Sequence, residues 1–362
     1  MKELKILIVL VVFTLITYIG IEPFAHSQMN PHVAPANFNY EQEDIDLANV
    51  RIKEAEEILA NTQNKLSKLE EAQKRADDKK RLEEDINKQK KALESAEKDF
   101  SIAKDRLALY EELWGNVKEI KALQGDAEAG GETFTLACAS CHGLKSQGIE
   151  PPFDDAIASE SYGIVVPDLS SAGAIYDKNF LAALIINPAH ALKLDHKFND
   201  ESPFPMTQFF GFGEDLNQEV ADIIAYLASI APKDVSGKEV FESACLRCHD
   251  LKYDKLPRPT EQTALEGYMG SNPPDLSMII RARSAEYLET FINDPQKNIP
   301  GTSMPRVGLN QESQDKLISY LEQTGDSKKS ERTTLGYFLI GFFIILAIFA
   351  YLWKNEVWKE LH

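Results

Sequence analysis

Positive charge is scarce in this 362-residue chain, which has 39 Lys and Arg against 57 Asp and Glu and a formal net charge of −18 at pH 7. Binding to nucleic acid depends on Lys and Arg that neutralise phosphates, so we expect no nucleic-acid partner. An acidic face can instead steer the basic docking patch of a protein partner, although an acidic surface that is simply solvated would have the same composition.

Cysteine is also scarce. The chain has four cysteines, and they form two Cys-x-x-Cys pairs, Cys138 with Cys141 and Cys245 with Cys248. If both pairs bind a cofactor, none remains for a structural disulfide, even in an exported compartment that would allow one.

Glycine and proline are absent from residues 41–114, a segment rich in Glu, Lys, Ala and Leu. Apolar or small residues recur at heptad steps over 45–69 and again over 86–110, but the two series are out of register and a polar stretch separates them. This pattern predicts an antiparallel coiled-coil hairpin of two long helices rather than one rod. The hairpin could serve as a stiff spacer or as a docking element for another subunit.

Long apolar runs without charge occur only near the two ends. Residues 6–21 follow Lys2 and Lys5, which is typical of a secretory signal or of an N-terminal anchor, and Ala25-His26-Ser27 is a loose cleavage site. We expect residues 1–22 to be retained as a signal anchor and residues 335–353 to form a second transmembrane helix. The middle of the chain would then lie outside the cytoplasm and both termini inside it.

An internal repeat occupies most of the region between these ends. The pattern Gly-x-x-x-Phe-x-x-Ala-Cys-x-x-Cys-His begins at Gly130 and again at Gly237, and Pro-Asp-Leu-Ser recurs at the same offset, at Pro167 and Pro274. Two copies of one domain, over 125–231 and 234–325, explain a register that persists for so long.

Cys-x-x-Cys-His is the attachment signature of c-type haem. The two thiols form thioether bonds to the haem, and the following His142 or His249 becomes the proximal iron ligand. We therefore expect two covalently bound haems. Zinc knuckles are the alternative, but the long separation between the two pairs and a His after each pair argue against them.

A sixth iron ligand decides between an electron carrier and an enzyme. Met206 and Met304 each lie in a Pro-bounded loop before the last helical segment of their copy, so we expect them to ligate. The interval from the preceding helix to Met206 is longer by nine residues than the equivalent interval to Met304. The rival ligands are His196 in the first copy and Met269 and Met278 in the second, and a lone methionine is often only core filler.

The ligating His normally donates its other ring nitrogen to a carbonyl oxygen, which fixes the orientation of the ring. The candidates are Pro167 and Pro274, which follow the first cysteine of their copy at the same spacing. The alternative is that Pro-Asp only marks a turn before a helix.

The repeat unit resembles the class I cytochrome c fold, with the Cys-x-x-Cys-His helix, a Pro loop, a middle helix, a Met loop and a C-terminal helix over residues 127–230 and 234–323. The whole chain, including the Pro-His-Val-Ala-Pro-Ala segment at 31–36 and the C-terminal run at 335–353, resembles the di-haem cytochrome c1 subunit of bacterial cytochrome bc complexes. The expected fold is thus all-α, with two tandem cytochrome c domains, the hairpin and a transmembrane helix at each end.

The resemblance implies a subunit of a quinol:cytochrome c reductase at the bacterial cytoplasmic membrane, with its haem domains on the periplasmic side. It would take electrons from a Rieske iron-sulfur protein beside a cytochrome b subunit, and pass them to a soluble periplasmic cytochrome c or a terminal oxidase, within a dimeric complex. The resemblance implies Cys138, Cys141, His142 and Met206 for one haem and Cys245, Cys248, His249 and Met304 for the other. No catalytic residues of its own are expected.

Three other functions remain open. A cbb3-type oxidase has a di-haem subunit, but that subunit is usually anchored only near its N-terminus. A membrane-tethered electron shuttle would purify without cytochrome b, and a di-haem peroxidase would need one haem with an open iron position.

Overall fold

A computed structural model describes residues 2–21, 24, 35–75, 79–198, 202–213 and 215–361. The possible cleavage site at 25–27 and most of the segment 31–36 lie outside these ranges. The chain divides into two compact units, Met1–Ala36 and Asn37–His362. Within the described ranges the structure is helical, with isolated β-bridges and no strand.

The first unit holds one apolar helix. Helix α1 spans Lys2–Leu15 and continues as a π-helix over Ile16–Ile21. The segment Leu4–Ile21 has a mean hydropathy of 2.6 and none of it is buried. By length and composition it can cross a membrane.

The second unit begins with the predicted hairpin, formed by α2 (Tyr40–Arg75) and α3 (Lys79–Ala122). Two contacts show that the helices are antiparallel. At the base of the hairpin, where α2 begins and α3 ends, the Trp114 indole donates to Asp44, and further along the arms the Gln89 side chain donates to the Thr62 carbonyl. Helix α3 extends eight residues beyond the expected end at Trp114, because Val117 and Ile120 are buried in the core of the first repeat.

Among the described residues, each repeat contains six α-helices in the same order, together with one short 3-10 helix. The first copy contains α4 (Ala127–Ala137), α5 (Asp155–Tyr162), α6 (Ala172–Ile175), α7 (Lys178–Ile186), α8 (Pro188–Ala191) and α9 (Leu216–Ile230). The second contains α10 (Gly237–Ala244), α11 (Gln262–Met269), α12 (Ile279–Ala282), α13 (Ala285–Asn293), α14 (Pro295–Asn298) and α15 (Gln311–Gly325). Helix α16 (Lys329–Leu361) follows, and it also contains a segment apolar enough to cross a membrane, with a mean hydropathy of 2.5 over 18 residues.

The repeated Gly-x-x-x-Phe pattern explains how the first and last helices of each copy cross. A Cβ added to Gly130 would lie 1.9 Å from the Asp222 carbonyl oxygen, and one added to Gly237 would lie 2.2 Å from the Lys316 carbonyl oxygen. Only glycine permits such close backbone approach. The following Phe134 and Phe241 are fully buried at the two crossings, and their rings pack against Tyr226 and Tyr320.

The base of the hairpin is part of the first cytochrome core and does not stand apart from it. Tyr110, Leu113 and Trp114 share one buried cluster with Phe134 and Phe180. A second buried cluster forms the core of the second copy. The base of the hairpin is therefore fixed to the globular part, whereas its distal arms expose most of their residues.

A buried ionic group, here called the junction cluster, joins the hairpin to both copies. It consists of Asp44 from α2, Lys193 from the first copy, and Asp294 and Arg306 from the second. Arg306 donates two hydrogen bonds to Asp44, at 2.7 and 2.9 Å, and Lys193 Nζ lies 2.9 Å from Asp44. Asp294 accepts from both cations. Nearby, the Tyr40 hydroxyl donates to the Leu309 carbonyl at 2.8 Å.

The junction cluster holds full charges in the protein interior. Burial alone would raise the pKa of the Asp44 carboxyl, but Arg306 and Lys193 hold that pKa below its usual range. Burial alone would lower the pKa of Arg306, but Asp44 and Asp294 raise it. Each charge is stabilised by its neighbours, so the group acts as a unit.

Candidate haem sites

The two Cys-x-x-Cys-His segments have the same backbone geometry. In each copy the first helix ends one residue before the first cysteine, and the next four residues form a turn. The His142 amide donates to the Cys138 carbonyl at 2.9 Å, and the His249 amide donates to the Cys245 carbonyl at 3.0 Å. Both cysteines of a copy thus lie on one turn, and the histidine follows that turn directly.

Each histidine is held by the carbonyl oxygen of the predicted proline. His142 Nδ1 lies 2.9 Å from the Pro167 oxygen, and His249 Nδ1 lies 2.8 Å from the Pro274 oxygen. A carbonyl can only accept, so Nδ1 carries the proton and Nε2 keeps its lone pair for a metal. Burial lowers the pKa of both histidines, although the proline carbonyls act in the opposite direction. The neutral form, which binds metals, is therefore favoured.

The rest of the Pro-Asp-Leu-Ser motif fastens the proline loop to the haem-attachment turn, a role that the sequence analysis missed. In the first copy, the Leu169 amide donates to the Gly143 carbonyl and the Lys145 amide donates to Asp168. The second copy repeats both bonds, with Leu276, Asp250, Lys252 and Asp275. The sequence did contain a sign of this role, because the whole Pro-Asp-Leu-Ser motif, and not only its proline, is present in both copies.

All four cysteines are partly buried, and none of them forms a disulfide. Burial, followed by the neighbouring Cys141, raises the pKa of Cys138 to about 11. Burial and then Cys248 raise the pKa of Cys245 to about 12. Within the described part of the chain, no three His, Cys, Asp or Glu side chains come together as a metal site.

The two methionines lie half-buried in the loops that precede α9 and α15. The backbone amide of Met304 donates to Thr302 Oγ1, and the Gln296 side chain bonds the same loop at Gly301 and Thr302. Met304 lies two residues before Arg306, so the junction cluster anchors the second methionine loop. The first loop lacks an equivalent arginine, since Gln208 occupies the position two residues after Met206.

The side chains that the sequence offered as alternatives to Met206 and Met304 lie in surroundings that differ from those of the two methionine loops. Met269 is buried in α11 among core residues, Met278 is 45% exposed, and His196 is exposed. His190 Nδ1 lies 3.0 Å from Asn187 Oδ1 and its ring meets the edge of Tyr110.

The donor set of each copy fits covalently attached haem. It offers two thiols, an imidazole whose Nε2 is left free, and a thioether on a Pro-bounded loop. Cys138, Cys141, His142 and Met206 would hold one haem, and Cys245, Cys248, His249 and Met304 the other.

The family model described as Cytochrome c matches residues 127–231 and 235–325, which together make up more than half of the chain. A chain from a solved structure titled "Hyperthermophilic respiratory Complex III" is 24% identical, covers 35% of this chain and 75% of its own length, and has a TM-score of 0.30. The family match confirms the predicted fold class of two cytochrome c domains in an all-helical chain.

Proposed function

This chain belongs to the cytochrome c family, and on that premise we propose that it carries two covalently bound haems and transfers single electrons as a subunit of a quinol:cytochrome c reductase. The observation that carries the proposal is the duplicated contact between His142 and Pro167 and between His249 and Pro274. Two histidines oriented in the same way, each beside a pair of thiols, supply two equivalent attachment sites.

The proposed axial ligands are His142 with Met206 and His249 with Met304. When bound, haem supplies reversible one-electron exchange. A methionine in the sixth position raises the reduction potential relative to a second histidine and occupies the site where peroxide or oxygen would bind. With both irons held in this way, the protein would act as an electron carrier and would need no catalytic residue of its own.

We propose that α1 and α16 anchor the chain in the bacterial cytoplasmic membrane, with the cytochrome domains on the periplasmic side. Both helices expose their apolar side chains along their whole length, which is expected of lipid-facing segments. The acidic net charge of −18 supports a partner with a basic docking face.

The proposed partners are a Rieske iron-sulfur protein as donor and a cytochrome b subunit, in a dimeric complex. A soluble periplasmic cytochrome c or a terminal oxidase would accept the electrons. The layout of the whole chain, with two haem domains followed by a C-terminal apolar helix, supports this assignment over an oxidase subunit that is anchored only near its N-terminus.

The test is extraction in mild detergent, affinity capture of the full chain, and mass spectrometry of what accompanies it. We expect a Rieske protein and a multi-span cytochrome b, with two haems per chain by pyridine haemochrome. Recovery with a copper-containing oxidase would assign the chain to that complex, and recovery alone would assign it as a tethered shuttle. A native high-spin haem signal would favour a peroxidase, and a mature polypeptide without added porphyrin mass would refute haem binding altogether.

A further inference from the structure

Two cationic side chains near the first haem site have buried nitrogen atoms without a hydrogen-bond partner. Among the described residues, Arg247 Nε and Lys197 Nζ are buried and reach no acceptor. Burial also lowers the pKa of Lys197. A buried cationic nitrogen without an acceptor is costly, and an anion bound beside it would remove that cost.

Lys197 lies beside the first methionine loop. Its Nζ is 5.1 Å from the centre of the Tyr268 ring and 5.5 Å from that of Phe198. The Phe198 ring packs against Tyr268 at 5.5 Å and against Phe204 at 5.0 Å. Because Phe204 is two residues before Met206, this aromatic group joins the first methionine loop to the second copy.

Arg247 belongs to the second copy, between Cys245 and Cys248, but it acts on the first. Burial is the main cause that lowers the pKa of His142, and the positive charge of Arg247 adds to it. The same charge lowers the otherwise raised pKa values of Tyr176, in the first copy, and Tyr268. The same charge acts on Cys248 of its own copy, so Arg247 lies where the two copies meet, within electrostatic range of the first proximal histidine.

Neither cation has a counterpart in the other copy. In the register of the repeat, Arg247 corresponds to Ser140, which is exposed. Lys197 lies in the interval between Pro188 and Met206, which is longer by nine residues than its equivalent in the second copy. Both differences between the otherwise matching domains place a cation near Tyr268.

We propose that Arg247 and Lys197 bind the propionate carboxylates of the first haem, so that a residue of the second domain completes the cofactor site of the first. This inference rests on the proposed function. Carboxylates are the anions that haem brings, and a guanidinium pairs with them in a planar fork. Positive charge beside the cofactor disfavours the more positive ferric state, so the pair raises the reduction potential of the first haem.

The test is a spectroelectrochemical titration of the full chain in detergent, after a pyridine haemochrome count of two haems. The Met206→His variant identifies the wave of the first haem. In Arg247→Gln we expect the equilibrium constant for reduction of the first haem to fall about tenfold, which is about 59 mV for one electron. Arg247→Lys should restore most of the loss, and Lys197→Gln should shift the same wave in the same direction.

Arg332→Gln, the same change at the exposed start of α16, is the matched control and should leave both waves in place. A shift in Arg247→Gln no larger than in this control, or one confined to the second haem, would overturn the inference. If Arg247→Gln fails to incorporate haem, Lys197→Gln decides by the same criterion, since it lies outside the attachment motif. Fewer than two haems in the unaltered chain would overturn the proposed function as well.

Discussion

Asp44→Asn tests whether the junction cluster holds the hairpin and the two cytochrome domains together. The change keeps the shape of the side chain but removes the charge that Arg306 contacts at 2.7 and 2.9 Å and that Lys193 contacts at 2.9 Å. Breaking a buried ion pair by removing one partner costs about 3–5 kcal/mol. Glu43, 3.8 Å from Arg306, offsets part of the lost charge, so we expect a loss near the lower limit, about 3 kcal/mol.

The assay is denaturant unfolding of the detergent-solubilised chain, followed by circular dichroism and by haem absorbance. Asp234→Asn is the control, because Asp234 also pairs with a lysine, Lys316 at 2.8 Å, but is 90% exposed, and it should unfold like the unaltered chain. The double variant Asp44→Asn with Arg306→Gln should lose clearly less stability than the sum of the two single losses. A loss below about 1 kcal/mol in Asp44→Asn would refute the role given to the cluster.

The same variant should change the acid limb of the stability profile. Because the pKa of Asp44 is held below its usual range in the folded chain, its stabilisation is complete above the unfolded value of about 3.9. It is lost as the pH falls through the lower folded value. Asp44→Asn lacks this contribution, so the difference in unfolding free energy between the two proteins should shrink as the pH falls below about 4.

Three further predictions concern single sites. Gly130→Ala should destabilise the first domain by about 1–3 kcal/mol in thermal unfolding, because the added Cβ would lie 1.9 Å from the Asp222 carbonyl oxygen. Gly115→Ala is the control, since Gly115 lies inside a helix with open space around it, and this change should be neutral or stabilising. Equal effects of the two changes would refute the argument that Gly130 permits the helices to cross closely. Met304→His should lower the potential of the second haem while leaving its covalent attachment intact by mass spectrometry, and an unchanged potential would remove Met304 from the ligand set. Asp326→Asn should speed proteolytic cleavage at 326–328 in the solubilised chain, because Asp326 accepts hydrogen bonds from Arg281 and Arg332. The control Asp315→Asn should be cleaved at the rate of the unaltered chain. Equal rates in all three proteins would show that these bonds do not restrain the segment.

Features that depend on local pattern could be predicted from the sequence. The helical hairpin followed from the absence of glycine and proline over 41–114, and the duplicated domain followed from the constant offset between the repeated motifs. The same repeated motifs contain the residues that the structure joins in the contacts of His142 with Pro167 and of His249 with Pro274. These features need only short-range periodicity or a repeated motif.

Features that depend on distant pairs could not be predicted. Asp44 looks like one more solvated charge in an acidic helix, and its partner Arg306 is 262 residues away. The sequence gives no sign that α3 continues past Trp114, since the reason is burial of Val117 and Ile120 against another domain. Arg247 likewise occupies one of the two unspecified positions between Cys245 and Cys248, and the sequence does not indicate that its charge acts on His142 of the first copy.

The short connection between α15 and α16 limits where electron transfer can take place. It consists of residues 326–328, and Asp326 accepts hydrogen bonds from Arg332 at 2.7 and 2.8 Å and from Arg281 at 3.1 Å. These arginines hold the pKa of Asp326 down to about 2, with the Arg332 bond the largest cause. Three residues span about 10 Å even when fully extended. On the proposed placement of α16 in a bilayer, this short connection keeps the second cytochrome domain close to the membrane surface, so an electron-transfer partner has to approach it there.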